Sequence, residues 1–293
     1  MLFVTGLFDI SSREKNEKRL NPDEYISYFK SLIKSFTKYN FIVYLDTDLI
    51  RYKKDILEIS SINKNITLKM ISIEDLPLWK YVSKINECNM CHSYDKNKYT
   101  PLYSLITNSK FYLLKLAIEL FPEENCFSWI DFGCFHYKEN YLNIDKYISD
   151  FISPNEENLR FFQVSEMYNI ETSIEKYFNE YPKVKATLFG GNKHKLLELY
   201  NFVNKIYLEF IDSGRLIFEE HILTYYLSLH YEECDVYYGD TVDFFNNIKI
   251  IRDNQFKSFK IIVCTYRNRD GRDPTIDEIP HELRKLYRKI SLF

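Results

Sequence analysis

The sequence is poor in glycine, with only seven glycines in 293 residues. None of them forms a Walker loop or a Gly-x-Ser-x-Gly nucleophile elbow, which excludes two large classes of nucleotide-hydrolysing and ester-hydrolysing enzymes. The triplet Asp131-Phe132-Gly133 matches the DFG motif of protein kinases. No glycine-rich loop, VAIK-like lysine or HRD loop accompanies that triplet, so the sequence does not predict a kinase.

Long apolar runs and an excess of charge of one sign are also missing. No apolar run approaches the roughly 18–20 residues that cross a bilayer. The 39 basic and 42 acidic residues leave a formal net charge of −3, so we expect no general affinity for nucleic acid. The opening MLFVTGLFDI lacks a basic region and is typical of a first buried strand, which predicts a cytoplasmic protein without a signal peptide.

The six cysteines are not arranged as a metal or haem site that the rest of the sequence supports. Cys88-Asn89-Met90-Cys91-His92 matches the CxxCH pattern of haem attachment, but such attachment belongs to exported proteins. A zinc site there needs a second ligand pair, and none has suitable spacing. We therefore expect reduced thiols and an incidental loop at this motif.

Short apolar runs alternate with amphipathic segments along the chain. The pattern predicts buried strands at 2–8, 41–45, 66–72, 126–130, 159–165, 186–189, 234–238 and 259–264. Helices are predicted from Pro22, where Asn21 and Glu24 form a capping box, near 49–59 and 74–85, over 101–120, and near 193–213 and 217–229. Residues 86–100 are polar and predict a loop. This order predicts one mixed α/β domain over 1–293, with a mostly parallel sheet flanked by helices.

Polar residues follow several of the predicted strands, where ligands bind in open α/β sheets. These strand ends carry Thr5-Gly6, Asp46-Thr47-Asp48, Asp131-Phe132-Gly133 and Gly190-Gly191. A carboxylate such as Asp131 can bind a divalent cation that holds a diphosphate, or it can cap the following turn. Similarly, the pair Glu219-Glu220 can supply a general base, or simply the acids that a first helical turn favours.

Five segments, taken in order, resemble the WlaTC/HtrL (YibB) family. They are TGLFDISSR at 5–13, PLYSLITNSKFYLLKLAIELFPEENCFSWIDFG at 101–133, LFGGNKHKLLELYNFV at 188–203, RLIFEEHIL at 215–223 and YYGDTVDFFNN at 237–247. The resemblance implies a glycosyltransferase with a GT-A-like nucleotide-diphospho-sugar fold. It divides the chain into a nucleotide-binding half at 1–133 and a half at 134–293 for acceptor and donor sugar.

The resemblance also implies roles for residues on the nucleotide side. Thr5 and Asp9 are expected at the nucleotide, and Asn108 and Lys110 are expected to face the donor, with Lys110 near phosphate. Asp46 is assigned at most to the nucleoside side, and its alternative role is a turn.

The remaining roles concern the metal and the transferred sugar. Asp131 is expected at the metal-binding Asp-x-Asp position for Mn²⁺ or Mg²⁺, but the second carboxylate of that motif is missing. Either a more distant ligand such as His136 completes the site, or the dependence on metal is weak. Gly190 and Gly191 are expected to line the donor sugar or the acceptor. Glu219 and Glu220 match an Asp-Glu pair, with Glu220 as the expected base and Glu219 as a sugar contact or a cap.

The expected reaction moves a hexose or N-acetylhexosamine from a nucleotide-diphosphate donor, with UDP as the expected nucleotide, to a hydroxyl on a glycan or glycoprotein. Whether the reaction inverts or retains stays open, as does the oligomeric state. One alternative is a carbohydrate- or nucleotide-binding protein with a transferase-like fold and no turnover. Another is a nucleotidyltransferase, which the absence of a glycine-rich phosphate loop disfavours.

Overall fold

The structure is a computed structural model that describes residues 1–14, 21–60, 65–90, 99–134, 151, 157–164, 173–179, 182–238 and 249–250. The strands are β1 Leu2–Leu7, β2 Asn40–Asp46, β3 Ile66–Ile71, β4 Asn89–Met90, β5 Cys126–Ile130, β6 Leu159–Gln163, β7 Val184–Asn192, β8 Arg215–Leu216, β9 Cys234–Tyr238 and β10 Lys249–Ile250. The α-helices are α1 Ile10–Glu14, α2 Pro22–Ser35, α3 Lys53–Ser60, α4 Val82–Glu87, α5 Pro101–Asn108, α6 Lys110–Leu120, α7 Ile174–Asn179, α8 Lys193–Asp212 and α9 Glu219–Leu229.

Eight of these strands form one sheet in the order β10-β9-β6-β7-β5-β1-β2-β3. Strands β1, β2, β3 and β5 are parallel, and β6 is parallel to β9. Strand β7 runs antiparallel to both of its neighbours, and β10 runs antiparallel to β9. The short strands β4 and β8 pair separately. This mixed, mostly parallel sheet confirms the fold class predicted from the sequence.

Apolar residues cover both faces of the sheet, as parallel strands require. Successive residues of β1 point to different cores: Phe3 belongs to the core under α2 and α3, and Val4 to the core under α6, α8 and α9. Asn21 and Glu24 form the predicted capping box at the start of α2, which supports the helix covering the first of these faces.

Several predicted helices are broken in the structure. The helix predicted over 101–120 is interrupted at Ser109, whose hydroxyl donates to Leu105 O at 2.8 Å beside its own backbone N–H at 3.0 Å, a side-chain bond of the kind that bends helices. The segment predicted as a helix near 74–85 contains 3₁₀ turns on either side of Pro77, which has no N–H to continue a helix, and then α4. The predicted strand at 259–264 lies outside the described residues.

The sequence interpretation of Gly190-Gly191 as a strand end at the ligand-binding edge is wrong, because β7 runs antiparallel to β5 and its carboxyl end lies at the opposite edge. Both glycines lie inside β7, where they pair with Ser128 and Phe127 rather than with the end of β5. A Cβ on Gly190 would overlap Ser128 Oγ and lie 2.5 Å from Phe127 O. Gly191 has a φ of +145°, which a side chain disfavours. These glycines therefore allow β5 and β7 to pair closely, about 10 Å along β5 from Asp131.

Candidate functional site

Acidic residues follow the parallel strands at one edge of the sheet. Asp9 comes just after β1, Asp46 ends β2, Glu74 follows β3, and Asp131 follows β5. Because these strands are parallel, their carboxyl ends meet at the same edge, as expected for a ligand-binding edge of an α/β sheet. Two groups of charged residues occupy this edge.

The first group, which we call the lysine cluster, consists of Lys110, Asp131, Lys185, Glu219 and Glu220. Lys110 Nζ lies 2.8 Å from Asp131 Oδ1 and 3.1 Å from Glu219 Oε1. Lys110 opens α6, Asp131 follows β5, and Glu219 opens α9, so three separate elements contribute the charges. The structure thus brings together three residues that the sequence analysis had assigned to separate roles.

Asp131 is tied by further hydrogen bonds. Trp129 Nε1 donates to Asp131 Oδ1 at 2.7 Å, and the Asp131 backbone N–H donates to Thr187 O at 2.8 Å. Burial raises the pKa of the Asp131 carboxyl and outweighs the opposing influence of Lys110 and Trp129. For Lys110, burial lowers the pKa, but attraction to Asp131 and Glu219 is stronger and holds the pKa above its usual value. The two carboxylates thus favour the protonated, positively charged form of Lys110.

Glu220 differs from Glu219 in its surroundings. The Glu219 side chain is 5% exposed and bonded to Lys110, whereas that of Glu220 is 18% exposed and lies 3.4 Å from Lys185 Nζ. Glu220 Oε1 also accepts a long hydrogen bond from the Ala186 backbone N–H, at 3.4 Å. Burial raises the pKa of Glu220 despite the attraction of Lys185. Of the two carboxylates, Glu220 is the more exposed to a ligand.

The second group, the arginine cluster, consists of Asp9, Arg13, Asp46, Asp48 and Glu74. Arg13 lies 2.6 Å from Asp48 and 2.7 Å from Glu74, and the Arg13 hydrogen bond is the main cause that lowers the pKa of Glu74 to about 2. The buried Asp46 accepts from the Asp9 backbone N–H at 3.3 Å. No role was predicted for Arg13 from the sequence. Its positive charge at the end of the first family segment was the one local feature that could have indicated a charged site there.

Two other predicted residues are buried inside the fold. Thr5 lies within β1, and its hydroxyl has no hydrogen-bond partner among the described residues. The Asn108 amide donates to Ser104 O at 2.9 Å and to Ile217 O at 3.2 Å, which ties α5 to the segment before α9. Their contacts with a nucleotide donor stay predictions, and His136 lies outside the described residues.

The described residues do not fit a divalent cation at Asp131. Such a cation requires several oxygen ligands arranged around one point. In the described ranges, no group of three or more His, Cys, Asp or Glu side chains could hold a metal ion. Between Asp131 and Glu219, the central position is taken by Lys110 Nζ.

We find no helix in the described part of the chain with the length and apolar character to cross a membrane.

Comparisons with known proteins give one family and several distant folds. The family described as "Bacterial protein of unknown function (HtrL_YibB)" matches residues 1–250. No curated protein matches significantly. The apo form of mouse xyloside xylosyltransferase 1 is similar at 10% identity and a TM-score of 0.44, over 80% of this chain and 83% of that chain. A nucleoside-diphosphate-sugar pyrophosphorylase from Vibrio cholerae is similar at 11% identity and a TM-score of 0.42, over 81% of this chain and 91% of that chain.

Proposed function

Because the chain belongs to the HtrL_YibB family, whose function is unknown, we propose from its site that it is a glycosyltransferase. It transfers a hexose or N-acetylhexosamine from a nucleotide-diphosphate donor, with UDP as the preferred nucleotide, to a hydroxyl of a glycan or glycoprotein. The observation that carries the proposal is the lysine cluster. It places a reachable carboxylate of raised pKa beside a fixed ammonium at the ligand-binding edge of the sheet.

These two groups match the two demands of glycosyl transfer. The departing diphosphate gains negative charge, which a fixed positive group stabilises most effectively where water is excluded. Lys185, whose side chain is 18% exposed, can provide such a charge directly. Lys110, whose ammonium contacts Asp131 and Glu219, adds its positive charge at short range without a direct bond to the diphosphate. The attacking hydroxyl must lose a proton, and we assign Glu220, the more exposed carboxylate of the pair, as its acceptor.

In a single displacement, the acceptor oxygen bonds to the anomeric carbon while the bond from that carbon to the diphosphate oxygen breaks. The hydroxyl proton passes to Glu220, and the electron pair of the broken bond leaves on the diphosphate. Glu219 holds Lys110 in place through the 3.1 Å contact and is a positioning residue. No step in this scheme requires a divalent cation.

A donor screen tests the proposal directly. We expect the protein to release UDP from at least one UDP-hexose or UDP-N-acetylhexosamine, and we expect a suitable hydroxyl acceptor to accelerate that release. Nucleotide binding that raises the melting temperature without any UDP release would instead identify a non-catalytic binding protein. Consumption of a nucleoside triphosphate with release of pyrophosphate would identify a nucleotidyltransferase.

The pH dependence of transfer gives a second expectation. A general base acts only when deprotonated, and burial raises the pKa of Glu220 above its ordinary value of 4.5. As the pH is lowered, activity should therefore begin to fall while the pH is still above 4.5, because Glu220 is already becoming protonated there. The profile of kcat/KM between about pH 4 and 9 measures this limb. A limb at or below pH 4.5 would assign the base to another group.

A further inference from the structure

We propose that the Lys110 ammonium occupies the position a divalent cation would take between Asp131 and Glu219, so that this position takes up no metal ion and a nucleotide diphosphate that binds at this edge of the sheet needs none. The first half of this proposal concerns the site alone. The second half rests on the proposed function.

Three oxygens surround the Lys110 ammonium, which has three N–H donors. Asp131 Oδ1 lies at 2.8 Å, Glu219 Oε1 at 3.1 Å and the carbonyl oxygen of Ala186 at 3.3 Å. Two are carboxylate oxygens and one is a carbonyl oxygen, which are the ligand types that hard divalent cations prefer. The ammonium thus uses the oxygen set that a metal ion would need.

Burial makes this arrangement hard to exchange for a metal. The Lys110 side chain is only 8% exposed, and Nζ lies 5.7 Å from the ring centroid of Trp129. A cation that took over Asp131 and Glu219 would leave the ammonium buried with a single carbonyl partner. Burying an unpaired charge is strongly unfavourable, so the wild-type cluster should reject divalent cations.

The same geometry predicts what happens when the ammonium is removed. In Lys110→Ala, two carboxylates and one carbonyl remain around the vacated position. Two adjacent carboxylates repel each other, and a cation that binds between them relieves this repulsion. Ca²⁺ tolerates flexible oxygen geometry at about 2.3–2.6 Å, so small movements of the side chains suffice to bind it. The variant should therefore gain a response to cations that the parent lacks.

The experiment measures the melting temperature of the full chain with EDTA, Ca²⁺ or Mn²⁺. We expect no shift for the parent and a rise of about 3 °C or more for Lys110→Ala. Lys185→Ala is the matched control, because it removes the second lysine of the cluster without opening the three-oxygen position, and it should not respond. Adding Glu219→Gln to Lys110→Ala removes one carboxylate and should abolish most of the gain.

A cation-dependent rise in the parent, or no rise in folded Lys110→Ala, overturns the proposal. If Lys110→Ala does not fold, the proposal is tested on the parent by calorimetric titration with UDP in Mn²⁺ and in EDTA. Affinities within about threefold in Mn²⁺ and in EDTA support the proposal, and an affinity at least tenfold tighter in Mn²⁺ overturns it. If the parent binds no nucleotide, the proposed function fails, whereas the melting measurements on parent and variants still test the ammonium position.

Discussion

Glu220→Gln should lower the rate of sugar transfer by roughly 10²–10⁴-fold, the usual cost of losing a general base. The amide has nearly the same shape as the carboxylate but accepts no proton at neutral pH. Among the described residues, the Glu220 carboxyl makes long contacts of 3.4 Å with Lys185 and with the Ala186 backbone, so the fold should lose little stability. Initial rates at matched folded concentration measure the effect, and circular dichroism checks the fold.

Glu219→Gln is the matched comparison, because Glu219 is adjacent in α9 and has the same side chain. Gln still offers an oxygen to Lys110 but loses the charge, so we expect a stability loss of about 1–3 kcal/mol and a smaller loss of rate. Adjacent helical residues point about 100° apart, so the two cannot face one hydroxyl equally. If both variants keep the parental rate, the pair is structural. Asp240, outside the described residues, is then the next candidate base.

Lys110→Met should destabilise the protein by about 3–5 kcal/mol, because removing one partner of a buried ion pair leaves uncompensated charge. Here two carboxylates, Asp131 and Glu219, lose their shared cation. Met keeps most of the apolar length of the lysine stem, so the loss reports on charge rather than on a cavity. The free energy of unfolding in urea is the measurement, and Asp131→Asn added to Lys110→Met should recover part of the loss.

Lys115→Met on the same helix is the control for that variant. Lys115 pairs with Glu119 one turn further on, at 3.0 Å, but its side chain is 34% exposed. Exposed pairs of this kind contribute only about 0.3–0.5 kcal/mol, because solvent screens them. Equal losses of stability for the two lysines would mean that the Lys110 cluster is no stronger than a surface pair.

Local patterns determined most of the elements of this protein from the sequence. The apolar runs of β1, β2, β3 and β5 and the capping box of α2 depend on residues within a few positions of each other, so they are visible in the linear chain. Acidic residues after parallel strands likewise predicted the edge where the candidate site lies. Asp131 was singled out on that basis, and the Glu219-Glu220 pair as acids in the first turn of a predicted helix.

Only the tertiary structure decided the strand directions and the charge partners. Strand β7 runs antiparallel to β5, which places Gly190 opposite Ser128 and away from the carboxyl end of β5. No local pattern in the sequence encodes that direction. Lys110 contacts Glu219, which lies 109 positions away in the sequence, and Arg13 contacts Glu74, which lies 61 positions away. Such pairs form because burial makes an unpaired charge unfavourable, and burial depends on how the whole chain folds. The sequence therefore determined which charged residues exist, and the fold determined which of them neutralise one another.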